Sequence, residues 1–379
     1  MMRPATAEKV RKLAGDTGLD AILTSSPENF AYLTGFVVPT QPMIRHRHAM
    51  ALVTASGDQA LFGVDMEAST IGQRMPDLPL TVWREFHDDP MAVLAEMLRG
   101  AGLAEAAIGL EMDYLPAGDF ARLEAQLPRA RFTAAEAGLS RARQIKTAEE
   151  VALLERLSRI ADRAIGDSLA GVKPGDSEMD IAAILTRRLY EQGAQDFNLM
   201  IVATGPRSQL PNVGPSDRVL TEGDICRIEI FAVADGYQAG VCRTASVGTP
   251  SQIAQDIWQV MVDCKYAILD RIRPGASCLE IYRDFIARLE RHGLPPISFV
   301  GHGIGLHLHE DPYLGATPLL GRPGEDAEVA EDMVFGFEPL CYRTGHGFGV
   351  QNKDVLHVTA TGARLLSDVT DTDRLIRIG

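Results

Sequence analysis

Two glutamates of this sequence stand in segments that otherwise predict buried strands. Glu229 lies within the β-branched run 225–231, and Glu338 closes the apolar run 333–337. A carboxylate buried among apolar side chains is unfavourable unless it is paired, protonated or bound to a cation. A structural arginine would satisfy Glu229, so a structural role and a chemical role are both open at this point.

An internal repeat favours the chemical role. Residues 172–177 recur as residues 272–277, and residues 222–229 are echoed by residues 331–338. Repeated supersecondary units pack against each other, and we expect these two units to be related by a pseudo-two-fold axis. We therefore expect the two glutamates that close the echoed segments to meet at one central site.

Histidines in the glycine-rich segment 299–309 could transfer protons at such a site. His302 next to a carboxylate predicts a general acid or base, because imidazole titrates near neutral pH. A hydrogen-bonded structural histidine is the alternative. His309 follows seven residues later, which puts it on the opposite face of a regular strand. It therefore reaches the site only if the chain bends at the glycines, and the same holds for His307.

Cys242 and Lys353 complete the set of candidate catalytic residues. Cys242 adjoins Arg243 in the predicted returning strand 237–245. A cationic neighbourhood would lower the pKa of its thiol and make it nucleophilic, whereas an inert buried thiol is the alternative. Lys353 lies in the predicted closing strand 350–359, where its ammonium group either neutralises a carboxylate or takes part in catalysis.

The elements that must position these residues predict two domains. A smaller α/β domain covers residues 1–138, and the repeated domain covers residues 139–379 with a linker at 139–146. The first domain contains the loop 38–48, in which Arg45 and Arg47 are suited to bind a substrate carboxylate. A solvated loop is the alternative. The predicted elements of this domain are helices at 4–17, 91–102 and 118–127 and strands at 19–23, 49–54, 59–64 and 107–110.

Composition excludes several classes of function. The net charge of −14 argues against binding to nucleic acid or to an anionic membrane surface. No apolar run approaches the roughly 20 residues of a membrane span. Five cysteines without a CxxC spacing, and an amino terminus without an apolar signal region, predict a cytoplasmic protein. The loop arginines described above favour a small-molecule substrate that carries a carboxylate.

Several motifs, in order, resemble the pita-bread family, which contains prolidase, aminopeptidase P, methionine aminopeptidase and creatinase. They are SPENFAYLTGF (26–36), GDICRIEIFAVADGYQAGVCRT (223–244), GHGIGLHLHEDP (301–312) and MVFGFEP (333–339). The resemblance covers essentially the whole chain. It implies an α+β pita-bread fold with a pseudo-two-fold repeat, preceded by a smaller α/β domain.

The resemblance also exposes departures from the metallopeptidases, which hold two metal ions with two aspartates, one histidine and two glutamates. The first aspartate falls on Glu229 and the second on Gly240, whereas the histidine is retained as His302 and one glutamate as Glu338. The last glutamate falls on Lys353. We therefore expect no metal and no other cofactor, with Lys353 as a built-in cation. A single metal held by one histidine and two glutamates is the alternative.

Creatinase is the known metal-free example of the family, and its residues carry over only in part. Its catalytic histidine falls on Asn212, which we expect to bind substrate, and two of its substrate-binding glutamates fall on Cys242 and Lys353. In the family, His309 is placed to stabilise a tetrahedral intermediate. An arginine of the loop that corresponds to 38–48 binds substrate across the dimer, which implies a homodimer here.

We therefore predict a metal-independent, creatinase-like hydrolase of a C–N bond in a small carboxylate-bearing amidino, guanidino or amide compound. Two alternatives stay open: an Xaa-Pro metallopeptidase with a degenerate metal site, and a pita-bread protein that binds without catalysis.

Overall fold

The computed structural model describes all 379 residues, which form two compact units, Met1–Arg143 and Gln144–Gly379. The predicted boundary lies five residues earlier, at 138/139. Residues 139–146, predicted to be a linker, are mostly helical. None of the helices is long and apolar enough to span a bilayer.

The first unit is an α/β domain, as predicted, with one six-stranded sheet in the order β4-β3-β2-β1-β5-β6. Its elements are α1 (Pro4–Asp16), β1 (Ala21–Thr24), α2 (Pro27–Thr34), β2 (Met50–Thr54), β3 (Gln59–Val64), α3 (Asp65–Arg74), β4 (Leu80–Trp83), α4 (Pro90–Gly100), β5 (Ala107–Leu110), α5 (Ala117–Gln126), β6 (Arg131–Ala134) and α6 (Glu136–Gln144). Helix α2 begins at Pro27, because the Ser26 side chain caps it and proline fits the first helical position.

The second unit has the pita-bread architecture, with helices and strands in two similar halves. Its helices are α7 (Ala148–Ala170), α8 (Glu178–Glu191), α9 (Gln252–Leu269) and α10 (Cys278–Arg291). Its strands are β7 (Asp196–Thr204), β8 (Ile225–Ala234), β9 (Tyr237–Val247), β10 (Phe299–Gly303), β11 (Glu310–Gly315), β12 (Val334–Phe337), β13 (Leu340–Cys341), β14 (Val350–Gln351), β15 (Asp354–Thr359), β16 (Gly362–Leu365) and β17 (Ile376–Ile378). They form sheets in the orders β17-β9-β8-β7, β11-β10-β12-β15-β16 and β13-β14.

The predicted repeat is visible in backbone hydrogen bonds. In the first half, the N–H of Gly175 donates to the carbonyl of Leu220 at 3.0 Å. In the second half, the N–H of Gly275 donates to the carbonyl of Val329 at 2.9 Å. Both glycines have positive φ, 97° and 82°, and a serine caps both of the following helices, α8 and α10. The same turn therefore joins a helix pair to its sheet twice.

The hairpin of β8 and β9 carries the first glutamate. Asp235 and Gly236 both have positive φ, which matches a tight hairpin turn. The register sets Glu229 opposite Cys242. Directly opposite residues share a face of the sheet, and the backbone of Cys242 also pairs with that of Lys353. Lys353 lies at a break between β14 and β15, so the closing strand that we predicted as continuous is interrupted beside the site.

A buried ion network under this face holds the backbone of Lys353. The guanidinium of Arg243 donates to Asp162 and to Asp354, both at 2.9 Å, and to the carbonyl of Lys353 at 2.7 Å. Burial opposes the charge of Arg243, but the two carboxylates outweigh it and raise its pKa. Helix α7 and the closing strand are therefore joined through one side chain.

We expect Arg243→Met to destabilise the second unit by about 3–5 kcal/mol, because it removes the guanidinium shared by two buried carboxylates and leaves Asp162 with no cationic partner. Urea denaturation followed by tryptophan fluorescence measures this loss, in a Trp83→Phe background so that Trp258 of the second unit is the only tryptophan. Arg283→Met, which removes an exposed pair with Glu280, is the control and should change stability by less than about 1 kcal/mol. Equal effects of the two substitutions would show that the network contributes nothing specific.

Candidate active site

The structure brings the two glutamates, His302 and Lys353 together. The Nζ atom of Lys353 lies 2.9 Å from Glu229 Oε1, 3.3 Å from His302 Nε2 and 3.6 Å from Glu338 Oε1. The Lys353 side chain is 1% exposed, and those of the glutamates are 5% and 4% exposed. The ammonium group of Lys353 therefore lies at the centre of the site and contacts both carboxylates.

These charges stabilise one another. Burial opposes the charged form of Lys353, but Glu229 and Glu338 outweigh it and raise the pKa of the ammonium group. Burial likewise opposes ionisation of Glu338, but the charge of Lys353 and the contact with His302 outweigh it and lower the pKa of this carboxyl. Both groups therefore stay charged at neutral pH.

The two predicted histidines lie against each other. The Nδ1–H of His302 donates to the carbonyl of Gly303 at 2.8 Å, which leaves Nε2 facing Lys353 and Glu338. The imidazole of His309 stacks on that of His302 with centroids 3.6 Å apart. His309 reaches the site because the chain leaves β10 after Gly303 and returns as β11, so the strand parity that argued against it does not apply.

His309 presents an exposed edge beside the buried cluster. Its Nδ1 lies 3.1 Å from the hydroxyl of Tyr313, which fixes the ring and leaves Nε2 outside this contact. Burial, together with neighbouring His302 and Lys353, lowers the pKa of His309 to about 3. His309 is therefore a neutral imidazole at physiological pH, suited to donate or accept a hydrogen bond without carrying charge.

Arg227 and Gln351 belong to the site and were missed by the sequence analysis. Wholly buried Arg227 donates to Gln351 Oε1 at 2.9 Å, and its Nη1 lies 3.8 Å from Glu229 Oε2. The Gln351 amide in turn donates to Glu338 Oε2 at 2.7 Å. The sequence does contain a signal for Arg227: it lies two residues before Glu229 in a predicted strand, so both side chains are expected on the same face of the sheet.

One carboxylate oxygen of the site lies near Lys353 and His302 but makes no hydrogen bond. Glu338 Oε1 is buried and makes no hydrogen bond, although His302 Nε2 lies 3.2 Å from it. Because Gln351 fixes the other oxygen, Oε1 is the acceptor that the site offers to a ligand. Tyr342 stands beside it: burial and then the negative charges of Glu338 and Glu229 raise the pKa of its phenol.

The structure does not support the nucleophile hypothesis for Cys242. Its side chain is wholly buried, and burial followed by the charge of Glu229 raises the pKa of the thiol well above its usual value. The cations Arg227, Arg243 and Lys353 oppose this rise but do not outweigh it. The thiol therefore stays protonated and packs beneath the site.

The predicted substrate-binding residues differ in what they can do. Arg47 forms a two-pronged pair with Glu85, at 2.9 and 2.8 Å, so its guanidinium is already engaged and the prediction that it binds substrate is not supported. Arg45 is exposed and touches only Tyr114, through its carbonyl and its ring. Asn212 is exposed on a loop whose carbonyls at Leu210 and Pro211 accept from Arg227.

The residues present do not fit a centre of two metal ions. Gly240 supplies no ligand, and the ammonium of Lys353 already lies between the remaining carboxylates. His302, His309 and Glu338 have ligand atoms within 4.8 Å of one another and are the only such group in the chain. An ion there would adjoin the ammonium, and at 4 Å in a partly buried site this repulsion is about 4 kcal/mol per unit charge.

The model of metallopeptidase family M24 matches residues 152–360, and that of the creatinase/prolidase N-terminal domain matches residues 7–145. The chain is 30% identical to the uncharacterized peptidase YqhT of Bacillus subtilis (strain 168), covering 95% of this chain and 97% of that protein. It is 26% identical to the Xaa-Pro dipeptidase of Pyrococcus furiosus, covering 97% of this chain and 98% of that protein.

Solved structures agree on the fold. The X-Pro aminopeptidase of Thermotoga maritima MSB8 superposes with a TM-score of 0.84 at 22% identity, covering 98% of this chain and 99% of that chain. The dipeptidase of Pyrococcus horikoshii OT3 also gives 0.84, at 26% identity, with coverage of 98% and 99%. This chain belongs to metallopeptidase family M24 and has its pita-bread fold, as the motifs predicted. The expected closeness to creatinase in particular has no support among these relatives.

We expect Cys242→Ala to retain hydrolytic activity within about a factor of three, because a protonated buried thiol cannot attack a substrate. Steady-state kinetics on any substrate that the protein hydrolyses measures this, and Cys264→Ala is a matched control with another buried thiol. A loss of nearly all activity in the first variant alone would restore the nucleophile hypothesis.

Proposed function

We propose that this protein hydrolyses a C–N bond in a small carboxylate-bearing peptide or peptide-like amide, with Lys353 in place of the metal ions used by the family. The observation that carries this proposal is the position of the ammonium group, within 3.6 Å of Glu229, Glu338 and His302. A fixed positive charge in a buried site stabilises negative charge as it develops, without reorganisation at the moment of reaction.

The residues suggest how a proton would move. Glu338 Oε1 accepts a proton as water attacks the carbonyl carbon, and the proton passes across 3.2 Å to His302 Nε2. Protonated His302 then lies 3.3 Å from the ammonium of Lys353, and this repulsion favours return of the proton to the leaving nitrogen. The neutral N–H of His309 is suited to donate to the oxygen of the tetrahedral intermediate.

The comparisons favour peptides over the amidino and guanidino compounds of our first prediction. The relatives named above are a peptidase and an Xaa-Pro dipeptidase, and their match extends over nearly the whole chain. Dipeptides with an Xaa-Pro bond are therefore the first substrates to test. Creatinase-like amidines and guanidines come second.

A metallopeptidase with one metal ion is the second candidate function. The close grouping of His302, His309 and Glu338 favours it, and the charge of Lys353 opposes it. A pita-bread protein that only binds its ligand is the third candidate. The acceptor on Glu338 that makes no hydrogen bond favours a ligand site over a purely structural one, and it is compatible with binding alone.

We also propose that the protein is a homodimer in which the loop 38–48 of one chain completes the site of the other. Arg45, exposed and held only by Tyr114, is the residue suited to a substrate carboxylate. Arg45→Gln should raise KM by about 10- to 100-fold, the value of one charged hydrogen-bonded contact. Arg47→Gln should leave KM unchanged. A monomeric mass by light scattering, or an unaltered KM in the first variant, would contradict this arrangement.

The main proposal is tested by the metal content and the activity of the same preparation. We expect the purified, untagged protein to carry almost no manganese, zinc or iron by inductively coupled plasma mass spectrometry. It should hydrolyse members of an Xaa-Pro dipeptide panel equally well with chelator and with added manganese. Lys353→Met should lower kcat by at least about 10²- to 10³-fold, as for loss of one electrostatic stabiliser, with the fold retained by circular dichroism.

Lys173→Met, which removes an exposed ammonium group, is the control and should keep full activity. One equivalent of metal per chain would instead support the one-metal peptidase. Unchanged turnover in Lys353→Met would falsify the proposed role of this residue. If no dipeptide of the panel is hydrolysed, and His302→Ala still supports the function of the protein in the cell, the protein binds its ligand without catalysis.

A further inference from the structure

The ring of Phe231 occupies the space that a side chain at residue 240 would need. Phe231 and Gly240 are paired across β8 and β9, and both are buried. A Cβ on Gly240 would lie 2.4, 2.5 and 2.6 Å from three carbons of this ring. Gly240 does not have a positive φ. The ring, and not the backbone conformation, therefore requires glycine at this position.

The same ring closes one side of the ammonium group. Lys353 Nζ lies 4.6 Å from the centroid of Phe231, within the range of a cation–π contact. On another side, a Cβ on Gly336 would come within 3.3 Å of Lys353 Cε and 3.0 Å of His302 Cε1. Protein atoms therefore fill the space around Glu229, His302 and residue 240.

We infer that Lys353 and Phe231 exclude divalent metal ions by two independent means, charge and volume. The ammonium satisfies Glu229 and Glu338, and the ring denies space to a ligand at residue 240 and to an ion beside it. This inference rests on the proposed metal-independent function and explains why two ligand positions differ together. Reversal of either change alone leaves the other obstacle in place.

A thermal double-mutant cycle tests the volume part without any metal. Gly240→Ala should lower Tm markedly in the wild-type background, because the new methyl group overlaps the Phe231 ring. In the Phe231→Gly background the same substitution should leave Tm unchanged or raise it. An equal loss in both backgrounds would overturn the claim that the ring fills the space at residue 240.

Metal stoichiometry tests the whole inference. Each protein is dialysed against chelator, equilibrated with Mn²⁺, desalted and analysed by mass spectrometry. We expect no ion in the wild type or in Phe231→Gly. We expect at most one ion in Lys353→Glu and in Gly240→Asp/Lys353→Glu, and two ions in Phe231→Gly/Gly240→Asp/Lys353→Glu.

The outcomes separate this inference from the proposed function. Metal in the wild type would refute the metal-independent function itself. A metal-free wild type with two ions in Gly240→Asp/Lys353→Glu would overturn the exclusion by Phe231 while the proposed function stands. No second ion in the folded triple variant would overturn it as well. If circular dichroism shows that variant unfolded, the thermal cycle decides.

Discussion

The site depends on one buried cation. Lys353 remains charged at 1% exposure only because Glu229 and Glu338 lie on either side of it, and the carboxylates remain charged only because Lys353 is there. Each half of the repeated unit supplies one of the two carboxylates. The break between β14 and β15 turns the lysine toward them, and Arg243 holds its backbone in place. The pairing of Lys353 with Glu229 and Glu338 therefore both stabilises the buried interior of the second unit and sets the charges of the site.

Charge balance explains how an M24 site tolerates these substitutions. In the two-metal pattern, four carboxylates balance two divalent ions. Here Glu229 and Glu338 face an ammonium and a buried guanidinium, that of Arg227, so the site is again close to neutral. The guanidinium also orients Gln351, which engages one oxygen of Glu338 and leaves the other free. A hydrogen-bond acceptor on Glu338 thus remains although the ligand set is incomplete.

Much of the fold could be predicted from local pattern. The β-branched run 225–231, the returning strand 237–245 and the repeat of residues 172–177 at 272–277 are short-range signals, and each corresponds to an observed element. Predictions that depended on the three-dimensional surroundings of a side chain, such as those for Cys242 and Arg47, were not supported. The pKa of Cys242 rises because burial outweighs nearby cations. Arg47 is engaged by Glu85, which lies 38 residues away in sequence.

The sequence by itself determined the fold family, the strand β8 that carries Glu229 and the strand β12 that Glu338 directly follows, because residue types and spacing express these directly. Only the tertiary structure decided that His309 stacks on His302, that Arg227 and Gln351 orient Glu338, and that Phe231 fills the space at Gly240. Those contacts depend on strand register, on where the chain bends and on burial. These properties arise from packing between segments that are distant in the chain, and no local pattern records them.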